Sequence, residues 1–277
     1  AFSIVDYFGD IRHGFTGYAR TLPKVGTLAA SMQFVNYGTF QSADEYGNIE
    51  GTFKAADYSF NLSCARQLDS VISYGLTLKT IYSKYERYTS VGSAADFGLT
   101  YRFPKRNLTF GLVLRNFGYQ WKSFSGNGRE ELNKTSQIAI CKRVPKAPFR
   151  LSLAYQYLEK WNLQYSDPAN PAPTEDPFTG EPIKDNKLKD FVNNFGRHLV
   201  AGAEIILTKN FNLRLGYNFL RSMEFQLPDR KTLGGFTFGL GVKINKFHLS
   251  YAHANYHVAG GSNHFTISCK LSEFIKK

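Results

Sequence analysis

The sequence contains no run of about 18 apolar residues, so no helix drawn from it can cross a membrane. Cysteine is scarce. Cys64, Cys141 and Cys269 are too few and too far apart for a disulfide framework or a paired-cysteine metal knuckle, and they read as isolated thiols on strand faces. Methionine and tryptophan occur twice each, and acidic residues (22) are outnumbered by basic ones (34), leaving a formal net charge of +12. No Ser/His/Asp or Cys/His order is recognisable. His253 and His257 have a spacing that converges on a metal only along a helix; on one face of a strand the rings would stand roughly 13 Å apart. Gly234-Gly235 and Gly260-Gly261 lack the strand-to-helix setting of a phosphate loop. These absences point away from an enzyme, and no cofactor or metal is expected, with lipid or detergent as the only bound small molecule.

What the chain has in abundance is aromatic residues (24 Phe and 17 Tyr) arranged with period two. In 211–219, Phe211, Leu213, Leu215, Tyr217 and Phe219 alternate with Asn212, Arg214, Gly216 and Asn218. In 149–157, Phe149, Leu151, Leu153, Tyr155 and Tyr157 alternate with Arg150, Ser152, Ala154 and Gln156. In 236–244, Phe236, Phe238, Leu240, Val242 and Ile244 alternate with Thr237, Gly239, Gly241 and Lys243. Similar runs occur at 58–64, 72–78, 97–103, 108–114, 199–207 and 265–271. Each is a strand with one apolar and one polar face, and the count comes to about fourteen. The chain opens inside such a strand, at Ala1 to Phe8, so a segment is expected to precede it in the natural protein.

Tight connections (22–26, 67–70, 103–107, 144–148, 208–210, 244–246) alternate with longer, more polar ones (38–52, 86–93, 122–133, 166–193, 222–232, 258–263). That asymmetry belongs to an up-and-down antiparallel barrel with its short turns at one end. Alternation alone fits a soluble barrel with an apolar interior as well. Size decides: an apolar lining around a ring of about fourteen strands would enclose an unfilled cavity. The apolar faces therefore point out into lipid. The expected fold is all-β, a transmembrane antiparallel up-and-down barrel of FadL-like size, forming one domain over 1–277. Phe103, Phe149, Phe211 and Phe247 beside short turns, and Tyr82, Tyr85, Tyr88, Tyr119, Trp121, Tyr157 and Trp161 towards the long loops, read as two interfacial girdles.

The positive charge divides in two. Lys24, Lys105, Arg106, Lys146, Lys209 and Lys246 sit in turns, where water and lipid headgroups meet them. Lys79, Arg102, Arg150, Arg214, Lys243 and Lys270 sit on polar strand faces, which makes them lumen-facing; no nucleic-acid partner is needed to explain either set. Five of the ten prolines fall in 166–187 together with Asp167, Glu175, Asp176, Glu181 and Asp185. The segment 166–193 thus reads as a long, Pro-rich, acidic extracellular loop, stiffened against strand pairing. Within it, Asp176, Pro177, Phe178, Thr179 and Glu181 form a turn that presents one aromatic anchor, the candidate partner-binding site.

Five stretches carry a family resemblance: "VDYFGDIRHGFTGYA", "MQFVNYGTF", "DEYGNIEGTFKAADYSF", "SYGLTLKTIYSKYERYTSVGSAADFGLTYRF" and "WNLQYSDP…DPFTGE". Together they resemble the PorQ proteins of the type IX secretion system, relatives of PorV and of the FadL-like barrels, over nearly the whole chain. The resemblance implies a non-catalytic barrel in the outer membrane of a Gram-negative bacterium. Its implied partners are outer-membrane lipid and a PorZ-like surface protein, held in an attachment complex with PorU and PorV. A FadL-like channel for small or hydrophobic solutes is the competing reading, kept open by the basic lumen residues. If the long loops are extracellular, a cysteine at Ala172 reacts with a membrane-impermeant maleimide on intact cells and one at Ala147 does not. The reverse labelling pattern overturns this orientation.

Overall fold

The computed structural model describes residues 1–124, 126, 128–164, 187–225, 233–257 and 260–274. Its strands run, in chain order, β1 (Phe2–Asp6), β2 (Arg12–Leu22), β3 (Gly26–Ala43), β4 (Ile49–Gln67), β5 (Ile72–Tyr85), β6 (Tyr88–Phe103), β7 (Leu108–Lys122) and β8 (Glu130–Glu131). There follow β9 (Thr135–Arg143), β10 (Phe149–Gln156), β11 (Leu199–Ile206), β12 (Phe211–Asn218), β13 (Phe236–Ile244), β14 (Phe247–His257) and β15 (Gly260–Cys269). Two helices, α1 (Lys187–Arg197) and α2 (Phe219–Glu224), lie at the loop end.

Every strand pairs antiparallel with its neighbour in the chain, apart from the two-residue β8, which only flanks the top of β7. β1 pairs with β15, and the β6–β7 and β7–β9 ladders complete a closed ring of 14 strands. Closure matters because hydrocarbon offers backbone N–H and C=O groups no partner, and only a ring leaves no edge unpaired.

The ring is inside out relative to a soluble barrel. Leu62 is 67% exposed, Leu78 57% and Leu215 47%, all on the outer wall, whereas the buried side chains include Asn61, Ser136 and Ser262. Val5, Ala55, Ala94 and Ala254 are the buried apolar residues among those described. The outer wall sheds its apolar area into lipid, and the protein needs no apolar core of its own.

The short-turn end is built from residues that tolerate left-handed backbone. Asn107 (φ 51°), Lys146 (φ 60°) and Asn245 (φ 55°) close three of these turns. Gly26 (φ 113°) closes another, where a Cβ would stand 2.4 Å from the Ala65 carbonyl oxygen. In the turn between β4 and β5, Asp69 accepts from the amides of Val71 and Ile72, which hold its carboxyl below the ordinary carboxylate range. That contribution is present above the ordinary range and is lost as pH falls through the lowered value.

The loop end differs from the expected pattern. Segments 38–52, 86–93 and 258–263 do not form long loops. β3 continues to Ala43 and β4 begins at Ile49, so this hairpin turns over five residues, while Glu86 and Arg87 alone separate β5 from β6. β15 already starts at Gly260. At its 44–48 tip, Asp44 accepts from the amides of Tyr46 and Asn48 and from the Asn48 side chain, a turn chemistry that needs few residues. β3 and β4 have 18 and 19 residues against 8 in β10, β11 and β12, so this hairpin rises well above the opposite wall. The end of the expected acidic loop, 187–193, opens helix α1. Asp176, Pro177, Phe178, Thr179 and Glu181 lie outside the described residues.

Tyr85 leaves the expected girdle. It lies on the inner face of β5 with Lys79, and its ring meets Tyr37 and Phe124. Alternation along one strand puts Tyr82 outside and Tyr85 inside. The outer wall itself makes a measurable claim. Leu215→Arg costs about 2–4 kcal/mol of folding free energy in lipid vesicles. Gly111→Arg, whose Cβ points into the open lumen and meets nothing within 4 Å, costs under about 1 kcal/mol. Equal losses in urea titrations of the two variants would reverse the assignment of faces.

Candidate functional site in the barrel lumen

The lumen holds a cavity of about 1870 Å³, lined by Phe15, Ser31, Asn61, Thr77 and Lys79 and, at the short-turn end, by Lys270 of the C-terminal segment. Its wall is a mixture of small polar and small apolar side chains. Hydrogen bonds knit the polar ones together: along β4, Ser59 Oγ donates to Asn61 Oδ1 (2.8 Å), and across strands Asn61 Nδ2 reaches Ser31 Oγ (3.4 Å) and Ser63 and Thr77 share a 2.8 Å bond.

The most tightly held charged cluster of the wall lies at a bulge. Ala95 pairs with Phe117 and Phe97 with Leu114, so Asp96 alone faces two residues of β7, Arg115 and Asn116. Asn116 takes up the extra length with φ 62°, which Asn tolerates better than most residues. Its amide donates to Asp96 Oδ1 (2.9 Å), while Lys79 Nζ sits 2.7 Å from Asp96 Oδ2 and donates to Asn116 Oδ1 (3.0 Å). The Lys79 and Asp96 side chains are only 16% and 18% exposed.

A second charged group stands farther round the wall, on β10, β11 and β12. Glu204 joins Arg150 (2.5 Å) and Arg214 (3.1 Å), bringing together β10, β11 and β12 in one register row. Arg143 of β9 pairs with Arg150 in that same row, so three guanidinium groups share a wall with one carboxylate. Both paired arginines remain more than 40% exposed to lumen water, so these bridges contribute at most about 1 kcal/mol each. Lys79–Asp96 is the stronger constraint. Of the other two residues assigned to the lumen, Arg102 alternates with the exposed Tyr101 and Lys243 with the exposed Ile244, which sets both on the inner face.

Sequence reasoning missed the aromatic mouth at the loop end. Asp57 Oδ2 accepts from the hydroxyls of Tyr37 (2.6 Å) and Tyr85 (3.1 Å), and Phe124 stacks on Tyr85 at 4.7 Å. Above them Phe40 and Phe53 stack at 5.3 Å on the inner side of the tall hairpin. A bulge carrying Gly38 (φ 86°) lies between these two layers and shifts the register of β3 against β4 by one residue. Beside the mouth, Tyr7, Phe8, Ile11, His13 and Val35 line an open apolar pocket of about 300 Å³. The period-two pattern could have signalled Tyr37 and Tyr85 as inner residues, but the flip at Gly38 hides Phe40.

No family model matches the chain, and neither does any curated protein. Among solved structures, the toluene transporter TodX of Pseudomonas putida superposes with a TM-score of 0.52 at 11% identity, over 96% of this chain and 85% of that one. A FadL homologue of Pseudomonas aeruginosa gives 0.43 at 9% identity, over 96% and 87%. A TodX variant described as a monoaromatic hydrocarbon channel gives 0.49 at 12%, over 96% and 85%. The first of these establishes a shared fold. The other two score too low to add to it.

The lumen pair predicts a coupling. Lys79→Met leaves the Asp96 carboxylate without its cation and costs about 1–3 kcal/mol. Adding Asp96→Asn recovers part of that loss, which a double-mutant cycle by urea unfolding in vesicles will show. A strictly additive cycle would mean that the pair does not interact in the folded barrel. The chain is therefore a closed 14-strand transmembrane β-barrel sharing the fold of TodX, with a water-accessible lumen and an aromatic mouth.

Proposed function

We propose that this barrel is a FadL-like outer-membrane channel for small or hydrophobic solutes in a Gram-negative bacterium. The observation that carries the reading is the cavity of about 1870 Å³ inside the ring, whose mixed polar and apolar wall admits solutes without a charge requirement. The aromatic mouth and the apolar pocket of about 300 Å³ beside it suit a solute with a planar apolar body. TodX, with the same fold, is described as a toluene transporter, which supports the same solute class here. In this reading Lys79, Asp96 and Asn116 are the polar group that a passing solute meets on the wall, and Arg143, Arg150 and Arg214 bias the lower lumen towards anions.

The PorQ-like anchor is the second reading, supported by the sequence resemblance and by one structural observation. The tip of the β3–β4 hairpin presents Tyr46, 84% exposed, and Ile49, 64% exposed, clear of the barrel wall, where a PorZ-like protein associated with PorU and PorV could grip it. In this reading the residues 176–181 are part of the contact.

One reconstitution separates the two. In planar bilayers the folded chain conducts, Lys79→Ala raises its unit conductance, and vesicles carrying the barrel take up toluene faster than protein-free vesicles. A folded barrel that neither conducts nor speeds toluene entry overturns the channel and leaves the anchor.

A further inference from the structure

Helix α1 is amphipathic in the unexpected sense: its polar side faces the protein and its apolar side faces away. At about 100° per residue, Leu188, Phe191, Val192 and Phe195 form one stripe. They are 73%, 54%, 58% and 41% exposed, whereas Asn194 is buried. Polar contacts fix this rotation. Asn194 Nδ2 donates to the Trp161 carbonyl (2.5 Å), and its Oδ1 accepts from the Leu163 amide (3.0 Å). Immediately after the helix, the fully buried His198 sets its two ring nitrogens 2.7 Å and 2.9 Å from the carbonyl oxygens of Gln156 and Trp161. With Asn194 and His198 held this way, the stripe cannot turn inward.

The stripe does not stand alone. Phe195 meets Tyr155 at 5.6 Å, and Tyr155 is the last outer-face residue of β10 above the exposed Leu151 and Leu153. Phe191 meets Trp161 at 5.3 Å. The apolar face of α1 therefore continues the lipid-facing band of the wall at its upper edge, the level where Trp and Tyr mark a membrane interface. Lys187 lies at one edge of the stripe on the helical wheel, at the angle from which long cationic side chains reach headgroups.

We propose that α1 is an interfacial helix that buries Leu188, Phe191, Val192 and Phe195 in the membrane boundary at the loop end, with Lys187 on anionic lipid headgroups. This assignment needs the transmembrane fold alone and is independent of what crosses the lumen. The occupant is lipid because the stripe is continuous with the wall that lipid already covers.

The test uses the full chain with Cys64, Cys141 and Cys269 changed to Ser and a nitroxide attached at Val192→Cys, folded into phosphatidylcholine vesicles with and without phosphatidylglycerol. Molecular oxygen, which concentrates in acyl chains, should relax this label severalfold more than a water-soluble nickel chelate does. A label at Tyr46→Cys on the hairpin tip should give the opposite ratio. Phosphatidylglycerol should raise the oxygen preference at Val192, and Lys187→Gln should abolish that rise. A nickel-dominated label at Val192, or one shielded from both reagents by a protein contact, overturns the proposal. No response to phosphatidylglycerol overturns the headgroup role of Lys187.

Discussion

The structure rests on one constraint: inside hydrocarbon, every backbone N–H and C=O must find its partner within the protein. Fourteen strands meet it by closing on themselves, β1 against β15, so that no ladder ends at an open edge. The side chains follow from that closure. With the ring too wide for an apolar filling, apolar residues turn to lipid and polar ones to the lumen, and stability resides in the ladders and the outer wall. Among the described residues few apolar side chains are buried, and those that are, such as Ala94 and Ala254, are small.

The lumen inherits a different problem. Its polar groups stand in a confined space, and each needs a neighbour on another strand. Serine, threonine and asparagine supply this cheaply along β3, β4 and β5, while charge is handled at two places: the bulge where Lys79 meets Asp96, and the row where Glu204 lies between two arginines. The bulge performs two tasks with one irregularity, since the extra residue in β7 both bends the wall and aims the Asn116 amide at Asp96. At the loop end the same logic extends to α1, whose polar face satisfies the backbone at 156–163 and leaves its apolar face for the membrane boundary.

Much of the wall was legible in the sequence. Phe211 to Asn218, Phe236 to Ile244 and Phe149 to Gln156 were readable as strands with the correct outer residues, because a half-lipid, half-water environment enforces strict alternation. The loop end was misread where that environment stops. Above the membrane the β3–β4 hairpin has water on both sides, so residues 38–52 lose alternation and carry Gly38, Asp44, Gly47 and Asn48, which look like loop while the ladder continues. Tyr85 was readable in principle, being an odd number of residues from Tyr82, yet its aromatic character drew it to the girdle. Helix α1 was hidden by its neighbourhood, eleven helical residues directly after a proline-rich stretch.

The sequence by itself determined the inside-out alternation, the number of strands and the position of the tight turns, because these depend on the two-residue period of a strand and on local turn chemistry. The tertiary structure decided which residues share the lumen. Lys79, Asp96 and Asn116 meet through the register of three strands, and Arg150, Glu204 and Arg214 meet across more than 60 positions of chain. A bulge that adds one residue reverses every face beyond it, as at Gly38, and no local pattern announces such a shift. The rotation of α1 likewise depended on Asn194 and His198 finding carbonyl groups some 30 to 40 positions earlier in the chain, contacts that exist only once β10 and β11 have paired.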